Sequence, residues 1–299
     1  LIEANEESKK LDRFTNYVEQ LARQAVRRGH TLVAVGGGVT QDIACFLATT
    51  LYRGVSWVFY PTTLLAQADS CIGSKSSINV GEFKNILGTF TPPTQIFIDS
   101  EVLRTLQLTE VHSGVGEMLK IHLNAGPQKF SEIEAVFDNL FEDSSIMLEF
   151  IYKSLLIKQT FIEADEFDRN IRNVLNYGHS FGHAIESATH FAVPHGIAVT
   201  MGMDLANFIA IKTGLTSESS SEYWKRVHRV LAKNFRGYET VEVPFSPFLE
   251  ALGRDKKNTS SELGLILPGP DCVPMRVHRS NDLPFQSLCR EYFETVRKT

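Results

Sequence analysis

Residues 31–42 read TLVAVGGGVTQD, a short apolar run that meets three consecutive glycines and continues into a polar stretch. The run 31–35 is rich in β-branched residues, which is typical of a buried strand. Apolar residues then recur at intervals of three and four over 39–52, which predicts a helix. Glycines between a strand and a helix let a phosphate approach the helix N-terminus. Because Gln41 replaces the third glycine of GxGxxG and no GK[ST] follows, an ordinary tight turn is an equally good interpretation.

Further strands and helices are predicted on both sides of this turn. Residues 11–28 predict a helix, and 55–60 and 95–99 predict two more buried strands. Strands separated by helical connections indicate a parallel α/β sheet. Three strands are fewer than the about 4–6 of a typical sheet. Since the chain also begins without methionine, we expect that it lacks N-terminal strands of this domain.

From about residue 100 the pattern is mainly helical. Helices are predicted over 109–124, 144–164, 170–188, 196–213 and 219–233, with short strands over 264–267 and 273–277. We therefore expect two domains: a nucleotide-type α/β domain over residues 1–100 and a mainly helical domain over residues 101–299.

Composition and charge exclude several kinds of function. The 299 residues include 30 basic and 35 acidic side chains, with a net charge of −5, which gives no positive field for nucleic acid or an anionic membrane. No apolar run approaches the about 20 residues that span a bilayer. The four cysteines have no CxxC spacing and are typical of thiols in a reducing compartment. We expect a soluble cytoplasmic enzyme that binds neither nucleic acid nor a membrane.

Histidines in the helical half predict a metal site. His179 and His183 lie four residues apart and share a helix face, so both imidazoles can reach one ion. The small residues Gly178 and Gly182 would let another element pack closely there. His195 precedes a further helix, and Glu117, Lys120 and His122 cluster on the helix 109–124. Lone histidines are more often structural residues than metal ligands. Spacing alone favours His179 and His183 as ligands and leaves the third ligand open.

Two polar segments predict binding of an anionic, hydroxyl-rich ligand. Residues 69–85 contain Asp69, Lys75 and Lys84 and show no helical or strand periodicity, so we expect a loop. In the helical half, Arg172, Asn176 and His179 follow one face of the predicted helix 170–188, where an arginine can bind a carboxylate or phosphate. For the loop 69–85 and for Lys158, a solvated surface is the alternative interpretation.

In its motifs the sequence resembles the 3-dehydroquinate synthase family of sugar phosphate cyclases. The matching segments run in family order from about Glu6 to Leu267: GGGVTQDIACF (36–46), LYRGVSWVFYPTTLLAQADSCIGSKSSIN (51–79), FKNILGTF (83–90), IDSEVLRTL (98–106), GVGEMLK (114–120), LNYGHSFGHAIE (175–186), HGIAV (195–199) and DKK (255–257). The resemblance implies a dehydroquinate synthase-like fold, an N-terminal domain that binds NAD, a helical domain that binds Zn²⁺ or Co²⁺, and a homodimer.

The resemblance also assigns residues to the site. It places the metal on Glu117, His179 and His195, and makes His183 a substrate-side residue. The family's NAD positions correspond to Glu6, Lys9, Gly37, Gly38, Asp42, Thr62, Thr63 and Thr105. Its substrate-side positions correspond to Arg53, Asp69, Lys75, Lys84, Asn85, Lys120, Lys158, Arg172, Asn176, His183 and Lys256 or its neighbour Lys257.

The implied reaction converts 3-deoxy-D-arabino-heptulosonate 7-phosphate to 3-dehydroquinate and phosphate. It proceeds by transient oxidation with NAD, phosphate elimination, re-reduction and intramolecular aldol closure, with the metal polarising the alcohol and ketone oxygens. The sequence departs from the family pattern at Ser74, Asp168 and Ile197. A valiolone-type or inosose-type cyclase of another sugar phosphate, or a metal-containing, NAD-dependent polyol dehydrogenase, therefore stays open as an alternative.

Overall fold

The computed structural model describes residues 1–217, 220–255, 258–259 and 262–298. The chain divides into two compact units, unit 1 (Leu1–Gln107) and unit 2 (Leu108–Thr299). The division falls after residue 107, whereas the boundary at residue 100 stays a sequence-based prediction.

Unit 1 is built on a small parallel sheet. Its elements are the helices α1 (Leu11–Arg23) and α2 (Gly38–Thr50) and the strands β1 (Thr31–Gly36), β2 (Ser56–Pro61), β3 (Ile78–Val80), β4 (Phe83–Leu87) and β5 (Gln95–Ile96). Among the described residues, the parallel sheet has the order β1–β2–β5, with Thr31 opposite Ser56 and Gly36 opposite Pro61. The predicted parallel α/β arrangement is confirmed.

The two faces of this sheet differ in burial. Ala34 on β1 and Phe59 on β2 are buried, whereas Val33 and Val35, which alternate with Ala34, are exposed. A separate apolar cluster joins α1, α2 and β3 through Phe14, Ile43, Leu47 and Ile78. Helix α2 therefore has its apolar side in the core and its first turn directly after the glycines.

The sequence prediction for residues 69–85 is wrong in part. Residues Ala66–Ser70 form a π-helical turn, and β3 and β4 pair as an antiparallel hairpin with an irregular register. Two other predicted elements are shorter than expected, since α1 ends at Arg23 and β5 at Ile96. Ala25 has a φ of 56°, and this left-handed backbone shortly after Arg23 does not continue a helix.

Unit 2 is mainly helical. It contains α3 (Leu108–Asn124), α4 (Pro127–Glu134), α5 (Ser144–Ala164), α6 (His179–Ala188), α7 (His195–Lys212), α8 (Ser221–Asn234), α9 (Phe245–Gly253) and α10 (Leu283–Glu294), with an antiparallel pair β6 (Leu263–Pro268) and β7 (Pro274–Arg279). Helices α4, α9 and α10 were not predicted from the sequence. None of the described helices combines the length and apolarity needed to cross a bilayer.

The predicted continuous helix over residues 170–188 is wrong. A 3₁₀ helix, Ile171–Asn176, precedes α6, and the two are separated by Tyr177 and by Gly178 in the left-handed conformation with a φ of 76°. Arg172 and Asn176 therefore do not lie on one helix face with His179. The break frees the first residue of α6 to turn toward neighbouring helices.

Candidate metal centre and dinucleotide-binding turn

Close packing of α6 on α7 sets the position of the histidines. A Cβ atom on Gly182 would lie 3.0 Å from the Cα of Val199, and one on Gly178 would lie 2.6 Å from the Val199 carbonyl oxygen. The small residues thus allow close packing here, as predicted. His179 and His183 on α6 consequently face His195, the first residue of α7.

A second close approach brings in α3. A Cβ atom on Gly116 would lie 2.2 Å from the carbonyl oxygen of Gly196, which leaves room for glycine but not for alanine. Across the same contact, the Gly196 amide donates a hydrogen bond to Ser113 Oγ at 2.9 Å. Glu117, one residue after Gly116, is therefore placed beside His195.

Four potential metal ligands meet at this junction. One nitrogen each from His179, His183 and His195 lie within 4.8 Å of one another. Glu117 Oε1 lies 3.2 Å from His195 Nε2 and 3.7 Å from His179 Nε2. Glu117 is almost fully buried, whereas His183 is exposed. The structure thus brings together the three predicted ligands and places His183 beside them.

The outer nitrogens of two imidazoles are already bonded. His179 Nδ1 lies 3.2 Å from the Tyr177 carbonyl oxygen, and His195 Nδ1 lies 3.0 Å from Glu186 Oε2. Both partners accept hydrogen bonds, so each Nδ1 carries a proton, and each Nε2, which lies near Glu117 Oε1, is the nitrogen placed to bind an ion. Two Nε2 atoms and a buried carboxylate are a donor set that suits Zn²⁺ or a similar divalent ion.

Charges around Glu117 keep it ionised. Burial opposes its ionisation, but Lys120, whose Nζ lies 2.5 Å from Oε2, and His195 hold the pKa of Glu117 well below its usual range. Burial likewise opposes a charge on His195, yet hydrogen bonding to Glu117 and Glu186 raises the pKa of His195 to about 10. A carboxylate that ionises this readily is suited to bind a cation.

Four of the predicted substrate residues of unit 2 lie on three elements. Lys120 on α3, Lys158 on α5 and Arg172 in the 3₁₀ helix are all buried. Arg172 Nη1 donates to the Glu166 carbonyl oxygen at 2.6 Å, and Asn176 Nδ2 donates to the Asn173 carbonyl oxygen at 3.0 Å. Because α3 contacts both α5 and the 3₁₀ helix, these residues belong to the helices that surround Glu117.

In unit 1 the glycine turn can accommodate a phosphate. A Cβ atom on Gly37 would lie 2.8 Å from Thr63 Cγ2, whereas one on Gly38 would meet nothing within 4 Å. The Thr62 amide donates to the Gly36 carbonyl oxygen at 2.9 Å, which fixes the turn against the end of β2. Gly37 is the N-cap of α2 and has no side chain to satisfy the first-turn amides. A helix N-terminus of this kind suits the pyrophosphate of a dinucleotide.

A buried ion pair lies beside this turn. Lys9 Nζ is 2.8 Å from Asp42 Oδ2 and donates to Asn85 Oδ1 at 3.2 Å. Asn79 connects Glu6 to Asn85, because its Nδ2 donates to Glu6 Oε2 and its Oδ1 accepts from the Asn85 amide, both at 2.9 Å. Burial raises the pKa of Asp42 to about 6, although Lys9 opposes the shift. Four residues predicted to contact NAD or substrate are thus in one network.

The remaining predicted residues of unit 1 differ in exposure, and two predicted residues of unit 2 lie outside the described residues. Arg53 is exposed just beyond the C-terminal end of α2, about 20 Å from the glycine turn by the rise of a 13-residue helix. Thr105 is exposed in the 3₁₀ helix Ser100–Thr105, and its Oγ1 donates to the Val102 carbonyl oxygen. Asp69 is buried, whereas Lys75 and Lys84 are exposed. Lys256 and Lys257 lie outside the described residues.

Sequence reasoning missed one residue beside the candidate metal ligands, Glu186. Its side chain bonds His195, and it lies on α6 at the spacing that continues the face of His179 and His183. That spacing was a usable signal. His195, to which Glu186 is bonded, lies on another helix, and a contact between two helices cannot be deduced from periodicity.

A parallel α/β unit with a glycine turn, together with a helical unit that gathers histidines around a carboxylate, defines a class of two-domain, cofactor-dependent enzymes. The chain matches the family models described as 3-dehydroquinate synthase N-terminal, over residues 1–113, and 3-dehydroquinate synthase C-terminal, over residues 114–258. It is 36% identical over 263 residues to the 3-dehydroquinate synthase of Campylobacter curvus (strain 525.92). The matched region covers 88% of this chain and 74% of the relative.

Solved structures agree with these matches. One is ValA (2-epi-5-epi-valiolone synthase) from Streptomyces hygroscopicus subsp. jinggangensis 5008 with NAD⁺ and Zn²⁺ bound, with a TM-score of 0.82 and 25% identity over 98% of this chain and 82% of that chain. Another, at 24% identity, is a 2-deoxy-scyllo-inosose synthase complexed with carbaglucose-6-phosphate, NAD⁺ and Co²⁺; its TM-score of 0.80, over 97% of this chain and 81% of that chain, shows the shared fold.

The chain belongs to the 3-dehydroquinate synthase family. The predicted fold class and the prediction of a dehydroquinate synthase-like enzyme are confirmed.

Proposed function

We propose that the chain converts 3-deoxy-D-arabino-heptulosonate 7-phosphate to 3-dehydroquinate and phosphate. The observation that carries the proposal is the meeting of the Glu117 carboxylate with the Nε2 atoms of His179 and His195, in a chain of this family. When bound, NAD⁺ accepts and returns a hydride and the divalent ion polarises the reacting oxygen. All other tasks belong to the chain's own side chains.

The proposed metal ligands are Glu117, His179 and His195, and the ion is Zn²⁺ or Co²⁺. His183 is proposed to face the substrate instead, which is supported by its exposure beside the three ligands. In that position its imidazole can accept a proton from, or donate a proton to, the substrate atoms bonded to the carbinol carbon that is oxidised. Asn176 is proposed to orient the same part of the substrate.

Charged side chains are proposed to hold the two acidic ends of the substrate. Arg172 suits a carboxylate or phosphate because a guanidinium can bind either in a bidentate manner. The other proposed substrate residues are Arg53, Asp69, Lys75, Lys84, Asn85, Lys120, Lys158 and Lys256. Their combined role is to fix a flexible polyol so that elimination and ring closure occur in one geometry.

NAD⁺ is proposed to bind in unit 1 at the glycine turn. Gly37 and Gly38 would face the pyrophosphate, with the remaining contacts from Glu6, Lys9, Asp42, Thr62, Thr63 and Thr105. The open space beside Gly38 and the N-terminus of α2 support this assignment. We also propose a homodimer that works in the cytoplasm, which sedimentation of the purified chain and fractionation of cells would test.

Phosphate release measured together with absorbance at the NADH wavelength tests the function. With NAD⁺ and Co²⁺ or Zn²⁺, we expect 3-deoxy-D-arabino-heptulosonate 7-phosphate to release stoichiometric phosphate without net NADH, because the cofactor is regenerated in each turnover. NADH accumulation in proportion to product would indicate a polyol dehydrogenase instead. Phosphate release from hexose or heptulose phosphates alone would reject the proposed substrate and leave a cyclase of another sugar phosphate.

A further inference from the structure

We infer that Glu186 is a positioning residue that orients His195 for metal binding, an inference that rests on the proposed metal centre. Glu186 lies on α6 and shares one face of that helix with His179 and His183. His195 lies on α7, so the contact joins the two helices that form the centre. No predicted metal, NAD or substrate role falls on Glu186.

The geometry gives Glu186 a defined effect on the imidazole. Its Oε2 lies 3.0 Å from His195 Nδ1, and its side chain is only 12% exposed. An ionised carboxylate accepts hydrogen bonds and donates none, so it keeps the proton on Nδ1. His195 Nε2, which lies 3.2 Å from Glu117 Oε1, is then the nitrogen that presents a lone pair to the ion.

His179 offers a comparison within the same centre. Its Nδ1 is held by the Tyr177 carbonyl oxygen at 3.2 Å, a neutral acceptor that comes with the backbone. His195 is held instead by a charged side chain, which both orients the ring and increases its basicity as a ligand. The Nδ1 contact of His195 is therefore made by a replaceable side chain, whereas that of His179 is made by the backbone.

A second carboxylate–histidine pair in unit 2 provides a matched control. Asp204 on α7 lies 2.9 Å and 3.0 Å from His228 Nδ1, and it also accepts a hydrogen bond from Tyr292 at 3.0 Å. Asp204 is buried and occupies the same helix as His195 but holds none of the proposed ligands. Removing its charge should therefore change stability without changing metal affinity.

The test compares Glu186→Gln, Glu186→Ala and Asp204→Asn with the wild-type chain. Zn²⁺ affinity is measured by chelator competition, the visible spectrum is recorded on the Co²⁺ form, and urea unfolding is followed on the metal-free form. We expect Glu186→Ala to weaken Zn²⁺ binding about 10- to 100-fold and to alter the Co²⁺ spectrum. Glu186→Gln should lose less, because its Oε1 can still accept a hydrogen bond from Nδ1.

Asp204→Asn should keep the wild-type Zn²⁺ affinity even where its urea midpoint falls. Wild-type affinity in both Glu186 variants would overturn the inference while leaving the metal centre standing. Equal losses of affinity in Glu186→Ala and Asp204→Asn would also overturn it, since the effect would then be general destabilisation. A wild-type chain that binds no divalent ion would overturn both the inference and the proposed centre.

Discussion

Arg172 is a charged side chain whose local surroundings hold it in one place. Asp165, at the end of α5, accepts hydrogen bonds from the amides of Arg169, Asn170 and Arg172 at 3.0, 2.7 and 3.2 Å. The guanidinium is itself bound to the Glu166 carbonyl oxygen. The segment is thus folded around one carboxylate, which fixes the backbone from which Arg172 extends.

Replacing Arg172 should weaken substrate binding and leave the affinity for NAD⁺ unchanged. We expect Arg172→Ala to raise the substrate KM about 10- to 150-fold, since a charge-assisted hydrogen bond contributes about 1.5–3 kcal/mol. Arg172→Lys should recover part of this loss, because a lysine keeps the charge but not the bidentate geometry. Steady-state kinetics and NAD⁺ titration check both variants. The exposed Arg169→Ala is the control, and a KM equal to that of wild type in Arg172→Ala would remove Arg172 from the site.

Asp42 should make stability depend on pH. Its pKa is about 6 in the folded chain and near 3.8 when unfolded, so in this interval the folded state binds more protons. The free energy of unfolding must therefore fall as pH rises, by about 2 kcal/mol between about pH 4.5 and about pH 7.5 for this group. Lys9 and Glu6 are the charged groups that face it.

The comparison variant is Asp42→Asn, whose Oδ1 can still accept a hydrogen bond from the Ser77 amide. Urea unfolding across this pH interval should show the wild-type chain losing stability relative to the variant as pH rises. The two chains should also differ in absolute stability, because an amide replaces the carboxyl group that contacts Lys9. Parallel pH profiles for the two chains would contradict a raised pKa at Asp42.

Single residues were predictable from sequence to different degrees. The spacing of His179 and His183 predicted that they share one helix face, and the structure brings their imidazoles together, because helical periodicity is a local property. Glu117 was identified from the family resemblance, since periodicity cannot show which face of α3 meets α7. Glu186 follows the same spacing as the histidines, but the spacing does not show that its side chain reaches a histidine on another helix.

At the scale of elements, the approach of α3 to α7 is the critical packing contact. Gly116→Ala would place a Cβ atom 2.2 Å from the Gly196 carbonyl oxygen and 2.5 Å from Thr200 Oγ1. We expect the free energy of unfolding to fall by about 1–3 kcal/mol, as for overpacked cores. Zn²⁺ affinity should fall too, because the two helices that carry Glu117 and His195 must separate.

Gly253→Ala is the matched control for this substitution. Gly253 is the last residue of α9, and a Cβ atom there meets nothing within 4 Å. Alanine should leave Zn²⁺ affinity unchanged and alter stability by at most about 1 kcal/mol, in the favourable direction. The packing argument fails if urea unfolding and chelator competition give the two glycine variants the same results.

Two elements show where local sequence patterns are insufficient. Strand β4 is exposed at all of its residues and so lacks the alternation that marks a half-buried strand; its pairing with β3 depends on contacts beyond the segment, such as the bond from the Asn85 amide to Asn79. Residues 170–188 have helical periodicity, but the left-handed Gly178 interrupts the helix. Such a break is set by how α6 must meet α7, which periodicity does not encode.

At the scale of the whole molecule, each unit carries its own proposed ligand. The glycine turn and the Lys9–Asp42 pair are in unit 1, and the carboxylate–histidine centre is in unit 2. This division follows the alternation of strand and helix before residue 100 and the helical periodicity after it. The class of each unit was therefore predictable from the sequence, and the boundary at residue 100 stays a prediction.

Hydrogen exchange should show that Zn²⁺ and NAD⁺ protect different segments of the chain. Saturating Zn²⁺ should slow exchange in α3, α6 and α7, because an ion that binds the folded state alone stabilises it by about 2.7 kcal/mol at a hundred times its Kd. NAD⁺ should slow exchange in the first turn of α2 and around Thr62 and Thr63. Protection by Zn²⁺ confined to unit 1 would contradict the assignment of the centre.

The most direct test of the central claim is the metal content of four single variants after dialysis against metal-free buffer. Glu117→Ala, His179→Ala and His195→Ala should each lose the ion that the wild-type chain retains, because each removes one of the proposed ligands. His183→Ala should keep the ion and lose turnover. Full metal occupancy in Glu117→Ala, or loss of the ion in His183→Ala alone, would contradict the ligand set and the chemistry built on it.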